Sequence, residues 1–227
     1  MSNNTFRALR TEAITKEQYE SLVVARSVDD LPEGELLVDV RYSSLNYKDA
    51  LSASGNPGVT KEFPHTPGID AAGIVLKDTS GTFQEGDEVV VCGYDLGMNT
   101  SGGLAQRIRV PASWAVKLPS TLSMKEAMII GTAGFTSALC VDKIQQMGAK
   151  PEDGPILVSG ATGGVGSFSV ALLSHLGFSV TALTGKIEQS EWLVSLGAKQ
   201  VIERGAMSEA TKRPVAQPQW AHAIDCV

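Results

Sequence analysis

The residues whose types and spacing most clearly suggest chemistry form a glycine-rich turn at positions 160–166. Gly163 and Gly166 stand where a dinucleotide-binding fingerprint has its second and third glycines, and Ala161 replaces the first. The second glycine lets the backbone approach a pyrophosphate, and the third lets a helix pack closely on a strand. Unpaired N–H groups at the start of the following helix then attract the phosphates. The turn therefore predicts nucleotide binding.

The elements on either side of the turn support this interpretation. An apolar run at 156–158 predicts a buried parallel strand, and apolar side chains at helical spacing predict a helix over 165–176. A second strand over 179–183 completes a βαβ unit. No Gly-Lys-Ser/Thr follows the turn, which excludes a Walker loop. A glycine turn that serves packing alone is the open alternative.

The choice of cofactor depends on the end of that second strand. NAD-selective folds place Asp or Glu there to bind the ribose 2′-hydroxyl, whereas this chain has Thr184, Gly185 and Lys186. Lys186 can bind a 2′-phosphate as a point charge, and Thr184 can donate its hydroxyl. These residues predict NADPH. A solvated turn is the alternative, and the nearby Glu188 weighs against a bound phosphate.

Composition narrows the class of protein. Of the 227 residues, 43% are hydrophobic and 19% are charged, which is typical of a soluble globular enzyme. The net charge of −6 argues against binding of nucleic acid or anionic lipid. The three cysteines form no CxxC pair. Residues 1–5 contain no apolar signal core, and the apolar stretch at 127–141 is interrupted and short, so we expect a cytoplasmic protein without a membrane segment.

The first part of the chain is rich in strand signals. Short apolar runs punctuated by glycine predict strands over 6–9, 36–42, 71–76, 88–92, 104–110 and 114–118. Their even spacing suggests a small barrel or a curled sheet. A capping box formed by Ser123 and Glu126 then begins a helical region, with helices at 127–130 and 135–147. We therefore place a domain boundary near residue 122.

The second domain contains only part of the sheet that its turn implies. Strands at 156–158, 179–183, 200–202 and 221–227 are predicted, whereas a doubly wound dinucleotide-binding sheet has six, in the order 3-2-1-4-5-6. Strand four then lies beside strand one and has a bare outer edge, which invites aggregation. We expect a fragment of a longer protein; the alternative is a short variant whose edge a partner covers.

Six motifs resemble one family when they are taken together. They occupy residues 44–49, 67–73, 85–89, 102–105, 131–136 and 160–166. In this order and spacing they resemble the medium-chain dehydrogenase/reductase superfamily, in its zinc-free quinone oxidoreductase branch, and more narrowly the acryloyl-CoA reductases. The resemblance implies a GroES-like catalytic domain at 1–122 and an incomplete Rossmann domain with a doubly wound parallel sheet at 123–227.

The resemblance also implies a site without metal. Alcohol dehydrogenases of the superfamily bind zinc through Cys and His in the segments that match 46–49 and 68–70, where this chain has neither. The nearby His65 is interpreted as a loop residue and not as a ligand. We therefore expect a zinc-free reductase.

Roles of single residues follow from their positions in the motifs. Tyr47 matches a nicotinamide-side contact, with packing beneath the loop as its alternative. Asn46 orients the substrate or fixes the loop. Arg204 matches a position near the adenosine phosphate and is otherwise a surface arginine. The residues that match the pyrophosphate loop are Thr162, Gly163, Gly164 and Val165.

The implied reaction is a conjugate reduction. NADPH gives a hydride to the β-carbon of an activated alkene such as acryloyl-CoA, hydrogen-bond donors stabilise the enolate charge on the thioester oxygen, and the α-carbon is protonated. A quinone or alkenal reductase is an alternative enzyme. A non-catalytic NADPH-binding protein and an inactive fragment are the alternatives without turnover. The resemblance further implies a homodimer for the full-length protein.

Overall fold

The fold is that of a computed structural model, which describes residues 4–208 and 218–227. The chain divides into two compact units, Met1–Thr132 and Ala133–Val227. Residues 1–3, part of the polar N-terminus, lie outside the described residues. The domain boundary near residue 122 stays a prediction.

The first unit is built from antiparallel strands. A hairpin pairs β1 (Thr5–Ala13) with β2 (Tyr19–Ser27). Five further strands are β3 (Leu36–Tyr42), β4 (Asp70–Asp78), β5 (Glu88–Cys92), β6 (Arg107–Val110) and β7 (Ala115–Lys117). They form one antiparallel sheet in the order β6-β3-β4-β5-β7, and helix α1 (Tyr47–Ala53) lies between β3 and β4 in the chain. Alternate side chains such as Leu36 and Val38 fill the core, which confirms the predicted β-rich domain.

Helix α2 (Met124–Gln146) is interrupted at Gly131. The backbone there has φ 49° and ψ −161°, so the helix consists of two stretches, 124–130 and 132–146. The predicted capping box is present, because the Glu126 N–H donates to Ser123 Oγ at 3.2 Å and the Ser123 N–H donates to Glu126 Oε2 at 2.9 Å. By length and composition α2 could cross a membrane, but neither stretch reaches the roughly 20 residues that a span needs.

The second unit is a parallel sheet flanked by helices. Its strands are β8 (Ile156–Val158), β9 (Val180–Thr184), β10 (Gln200–Glu203) and β11 (His222–Ile224), and its further helices are α3 (Gly164–His175) and α4 (Ser190–Ser195). The described strands lie in the order β10-β9-β8-β11. In order of appearance this is 3-2-1-4, which confirms the predicted place of the fourth strand. The core contains fully buried Ile156, Val170 and Leu173.

Three elements were not predicted, and the physical reason lies in their side chains. Most side chains of β2 are exposed, Leu22 and Val23 among them, so the strand shows no alternation of polar and apolar residues. Helix α1 turns the polar side chains of Asp49 and Ser52 inward and therefore has no apolar stripe. Helix α4 has six residues and buries only Leu193.

Two predicted strands are shorter than expected because their ends bond elsewhere. The Leu104 N–H donates to the Pro67 carbonyl at 3.0 Å and the Gln106 N–H to the Arg7 carbonyl at 2.9 Å, so the sheet strand begins only at Arg107. At the other end of the chain, the Cys226 N–H donates to the Ser159 side chain at 2.9 Å. A third predicted strand, at 114–118, is reduced to β7 because Trp114 belongs to a short 3₁₀ turn, Ala112–Trp114.

His65 lies in the loop between α1 and β4, as predicted, and it is buried there. It forms an isolated bridge with Thr11, is 7% exposed, and places Nε2 2.9 Å from the Gly97 carbonyl oxygen. Because a carbonyl only accepts, Nε2 carries the proton. Burial lowers the pKa of His65, and the hydrogen bond to Gly97 opposes this effect without cancelling it.

We expect the stability of the fold to decrease as the pH falls below about 6.5, because the unfolded chain then binds a proton that folded His65 resists. The contribution of neutral, buried His65 to the free energy of unfolding is fully present above that pH and is lost as the pH falls toward the lowered pKa of the folded state. The free energy of unfolding then changes by at most about 1.4 kcal/mol per pH unit. His65→Gln keeps a donor for Gly97 and should flatten the pH dependence of urea unfolding. His175→Gln, at an exposed position of α3, is the control. An unchanged slope in His65→Gln would contradict this assignment.

Candidate active site

The glycine turn lies at the carboxyl end of β8 and leads into α3. Gly160 has a φ of 54°, and the Gly163 N–H donates to its carbonyl at 2.8 Å. Gly163 is the N-cap of α3 and contributes no side-chain capping bond. The first main-chain bond of the helix runs from the Ser167 N–H to the Gly163 carbonyl at 2.9 Å, so the N–H groups of residues 164–166 have no partner within the helix. Gly163 and Gly164 are exposed, so the start of the helix is accessible to phosphate oxygens.

The turn has no room for a side chain at its third glycine. A Cβ atom built on Gly166 would lie 2.7 Å from Ala161 Cα and closer still to the Gly160 carbonyl oxygen. A Cβ on Gly163 would meet only the Gly160 carbonyl oxygen, at 3.2 Å. Gly166 therefore serves packing, and Gly163 keeps the outer surface of the turn bare. This division of roles fits a bound pyrophosphate.

The end of β9 contributes the second part of the nucleotide region. Thr184 is 1% exposed. Its Oγ1 lies 3.1 Å from Thr162 Oγ1 and accepts the Lys186 N–H at 2.9 Å. The Thr184 hydroxyl thus joins the two turns and shapes the one that carries Lys186. Gly185 and Lys186 are both exposed.

Arg204 follows β10, and its side chain reaches the turn after β9 that contains Gly185. Because β9 and β10 are parallel neighbours with Thr184 opposite Glu203, the residues that follow them emerge at one edge of the sheet. A Cβ built on Gly185 would lie 3.6 Å from both Cζ and Nη2 of Arg204. The guanidinium therefore lies against Gly185, which precedes the exposed Lys186 in the chain. We call Thr162, Gly163, Gly164, Val165, Thr184, Gly185, Lys186 and Arg204 the phosphate-side group.

The two remaining predicted site residues lie in the first unit, in residues 44–47, which we call the nicotinamide-side loop. Asn46 is the N-cap of α1. Its N–H donates to Asp49 Oδ2 at 2.7 Å, while Asp49 Oδ1 accepts the Ile69 N–H at 2.9 Å. Burial raises the pKa of Asp49, although these hydrogen bonds act against the rise. Asp49 thus fixes the loop by satisfying its backbone donors.

Tyr47 projects from this loop into solvent. Its side chain is 79% exposed, and that of Leu45, on the other side of Asn46, is 85% exposed. Packing beneath the loop, the alternative interpretation of Tyr47, does not describe this placement. An exposed aromatic ring on a loop that buried side chains hold in place is suited to contact a planar ligand.

Asp70 is the centre of the network behind the loop. Its carboxylate is fully buried and accepts Asn46 Nδ2–H at 2.9 Å, the Thr132 N–H at 2.9 Å, the Thr132 hydroxyl at 2.6 Å and the Ser44 hydroxyl. Burial by itself would raise the pKa of Asp70, but these bonds outweigh it and the pKa is lowered. Across residues 4–208 and 218–227, no Lys or Arg pairs with this carboxylate. Asp70 is therefore a buried anion held by neutral donors.

The described ranges contain no group of three or more His, Cys, Asp and Glu side chains that could hold a metal ion. The two segments that carry zinc ligands in the alcohol dehydrogenases are joined here by the hydrogen bond from Asn46 to Asp70. Burial and the Asp70 charge raise the pKa of the nearby Cys92 thiol, so it stays protonated. The absence of zinc stays a prediction.

Sequence reasoning assigned no role to Asp70, Ser44 or Thr132. Each lies in one of three separate motifs, at 67–73, 44–49 and 131–136, and the structure brings the three together around one carboxylate. The signal in the sequence was a short polar side chain in each motif. Nothing in the spacing could show that these side chains meet.

Comparison with known proteins agrees with this geometry. Residues 32–120 match the alcohol dehydrogenase GroES-like domain. The chain is 46% identical to the probable acrylyl-CoA reductase AcuI of Escherichia coli (strain K12), over 95% of this chain and 67% of that one. It is 43% identical to the putative quinone oxidoreductase YhfP of Bacillus subtilis, over 98% of this chain and 67% of that one.

Solved structures of oxidoreductases have the same fold as this chain. The yhdH oxidoreductase of Salmonella enterica in complex with NADP has a TM-score of 0.93 at 44% identity, over 97% of this chain and 67% of that one. The Bacillus subtilis protein yhfP with NAD bound has a TM-score of 0.91 at 42% identity, with the same coverage.

A GroES-like domain followed by a parallel sheet with a glycine turn defines a medium-chain dehydrogenase/reductase, and the chain belongs to that superfamily. Within it, the chain belongs to the quinone oxidoreductase branch that includes the acrylyl-CoA reductases. The resemblance and the fold class predicted from the motifs are confirmed. The chain spans about two thirds of the length of these relatives.

Proposed function

We propose that this chain is an NADPH-dependent oxidoreductase that reduces the activated C=C bond of a short enoyl-CoA such as acryloyl-CoA. Support for the substrate comes from the E. coli relative, which is named as a probable acrylyl-CoA reductase and is 46% identical. Support for the cofactor comes from the Salmonella relative solved in complex with NADP. A quinone or alkenal reductase, the alternative enzyme, would likewise act on a small-molecule substrate.

The observation that carries the cofactor assignment is the pair of cations beside Gly185. Arg204 lies against this glycine and Lys186 follows it in the chain, and the end of β9 has no Asp or Glu where NAD-selective folds need one. Two basic side chains suit the 2′-phosphate that distinguishes NADPH from NADH. The relative solved with NAD bound makes this preference worth a direct measurement.

When bound, NADPH supplies the hydride that adds to the β-carbon of the alkene. The glycine turn binds the pyrophosphate through the N–H groups at the start of α3, and Lys186 and Arg204 bind the 2′-phosphate. Tyr47 offers its exposed ring to the nicotinamide side. The thioester oxygen gains negative charge and requires a hydrogen-bond donor, and the α-carbon then takes a proton.

The test is turnover by the purified chain, followed as loss of NADPH absorbance with acryloyl-CoA and, in parallel, with a quinone and an alkenal. We expect the highest kcat/KM with acryloyl-CoA. Faster turnover of the quinone would favour a quinone reductase, which the name of the Bacillus relative supports. NADPH binding without turnover of any of the three would favour a non-catalytic NADPH-binding protein.

A further inference from the structure

The orientation of the Asn46 amide is determined by its neighbours. Nδ2 lies 2.9 Å from Asp70 Oδ2 and 2.9 Å from Ser44 Oγ. An ionised carboxylate has no proton to give, so the group that faces Asp70 must be the NH₂ of the amide and not its oxygen. The Ser44 hydroxyl donates to the same carboxylate and therefore accepts from Asn46.

Both acceptors of Asn46 Nδ2 lie on one side of it. The Ser44 hydroxyl donates to the same oxygen of Asp70 that accepts from Asn46, so Asp70 Oδ2 and Ser44 Oγ contact each other. The NH₂ group of Asn46 therefore faces the buried carboxylate, and the amide oxygen, which can only accept, lies on the other side of the amide.

The amide oxygen keeps a lone pair for a ligand. The Asp49 N–H, in the first turn of α1, bonds to the main-chain carbonyl of Asn46 at 3.0 Å. Since an amide oxygen has two lone pairs, Oδ1 retains an acceptor site even where it also caps this N–H. Asn46 is partly exposed and lies between the exposed side chains of Leu45 and Tyr47.

We propose that Asp70 is a positioning residue that fixes the Asn46 amide, so that Asn46 recognises a neutral N–H or O–H donor of the ligand at the nicotinamide-side loop. This inference rests on the proposed function. Two ligands of the proposed reaction carry such donors. The nicotinamide nucleoside has a carboxamide NH₂ and ribose hydroxyls, and the coenzyme A thioester has amide N–H groups.

The test is a double-mutant cycle with Asp70→Asn, Asn46→Ala and the double variant. The dissociation constant for NADPH, the KM and kcat for acryloyl-CoA, and the melting temperature are measured for each. Asp70→Asn removes the charge that selects the amide orientation. We expect about a tenfold increase in the dissociation constant if the donor belongs to the cofactor, or in KM if it belongs to the substrate. The double variant should be no worse than Asn46→Ala, because Asp70 acts through Asn46.

Thr132→Val is the matched control. It removes one hydroxyl bond to Asp70 but leaves the Asn46–Asp70 bond in place. We expect a lower melting temperature and less than about a twofold change in either constant. If Asp70→Asn does not fold, Asp70→Ser serves in the same cycle, since it also removes the carboxylate that orients Asn46 and keeps a short polar side chain among the same donors.

The outcomes separate the positioning role from the proposed function. Additive effects of Asp70→Asn and Asn46→Ala, or no change in either constant, would overturn the positioning role. A wild-type chain that binds NADPH but does not reduce acryloyl-CoA would overturn the proposed substrate, while the dissociation constants would still decide the role of Asp70. A wild-type chain that does not bind NADPH would overturn both.

Discussion

Replacing Gly166 with alanine is expected to abolish NADPH binding and to destabilise the chain. The new methyl group would lie 2.7 Å from Ala161 Cα and nearer still to the Gly160 carbonyl oxygen. These are backbone atoms, so the turn itself has to move, and the N–H groups that face the phosphates move with it. We expect a loss of about 1–3 kcal/mol in the free energy of unfolding and at least a hundredfold weaker binding of NADPH, about 3 kcal/mol. Denaturant unfolding and a fluorescence titration measure the two effects.

Gly163→Ala is the control that separates packing from phosphate access. Gly163 has a φ of −79° and a ψ of 171°, which alanine also adopts, and the only close atom is the Gly160 carbonyl oxygen at 3.2 Å. This variant should keep its stability within about 1 kcal/mol and still bind NADPH more weakly, because its methyl group occupies the bare surface of the turn. Normal NADPH binding by Gly166→Ala would refute the assignment of the turn.

Removing both cations beside Gly185 is expected to erase the preference for NADPH. In the variant Lys186→Ala/Arg204→Ala, the 2′-phosphate loses its charged partners, while the groups that bind the pyrophosphate are unchanged. Charge-assisted bonds contribute about 1.5–3 kcal/mol each. We therefore expect the dissociation constant of NADPH to rise at least about a hundredfold and that of NADH to stay within about twofold. Parallel titrations with the two nucleotides measure this difference.

Lys199→Ala is the matched control for the loss of charge. Lys199 is exposed and precedes β10, whereas Arg204 follows that strand, so the two lie at opposite ends of it. Its removal should leave both dissociation constants unchanged. Equal weakening of NADPH and NADH by the Lys186/Arg204 variant would mean that the two cations do not bind the 2′-phosphate.

The parts of the fold that depend on local sequence could be predicted. The glycine turn, helix α3 and the capping box at Ser123 each depend on residues within one short segment, and all three lie within a residue of their predicted places. The position of the fourth strand followed from the rule for doubly wound sheets. In each case the signal was either an apolar period or a fixed spacing.

The parts that depend on contacts distant in the chain could not be predicted. Helix α1 buries the polar residues Asp49 and Ser52. The buried Asp49 carboxylate is needed because it accepts the N–H of Ile69, which is 20 residues away in the chain. The burial of His65 depends in the same way on Gly97. Thr184 lies at the end of a fully buried strand, and the contacts of its hydroxyl with Thr162 and with the Lys186 N–H also depend on folding. Its bond to a phosphate stays a prediction.

The candidate site follows the same division. Lys186 and Arg204 were singled out separately, but the approach of the Arg204 guanidinium to Gly185, the residue before Lys186, depends on the parallel pairing of β9 with β10. The network around Asp70 includes Ser44, which is 26 positions away in the chain, and Thr132, which is 62 positions away. No periodicity in the sequence predicts a buried carboxylate of this kind. Its proposed role is to orient the Asn46 amide.

The central claim is that the chain binds NADPH through the glycine turn and the two cations of the phosphate-side group. The most direct test is a fluorescence titration of the purified chain with NADPH and, in parallel, with NADH. We expect saturable binding of NADPH that is at least about tenfold tighter than that of NADH, the effect of one charge-assisted bond. Equal or tighter binding of NADH would contradict the role of Lys186 and Arg204, and no binding of either nucleotide would contradict the claim as a whole.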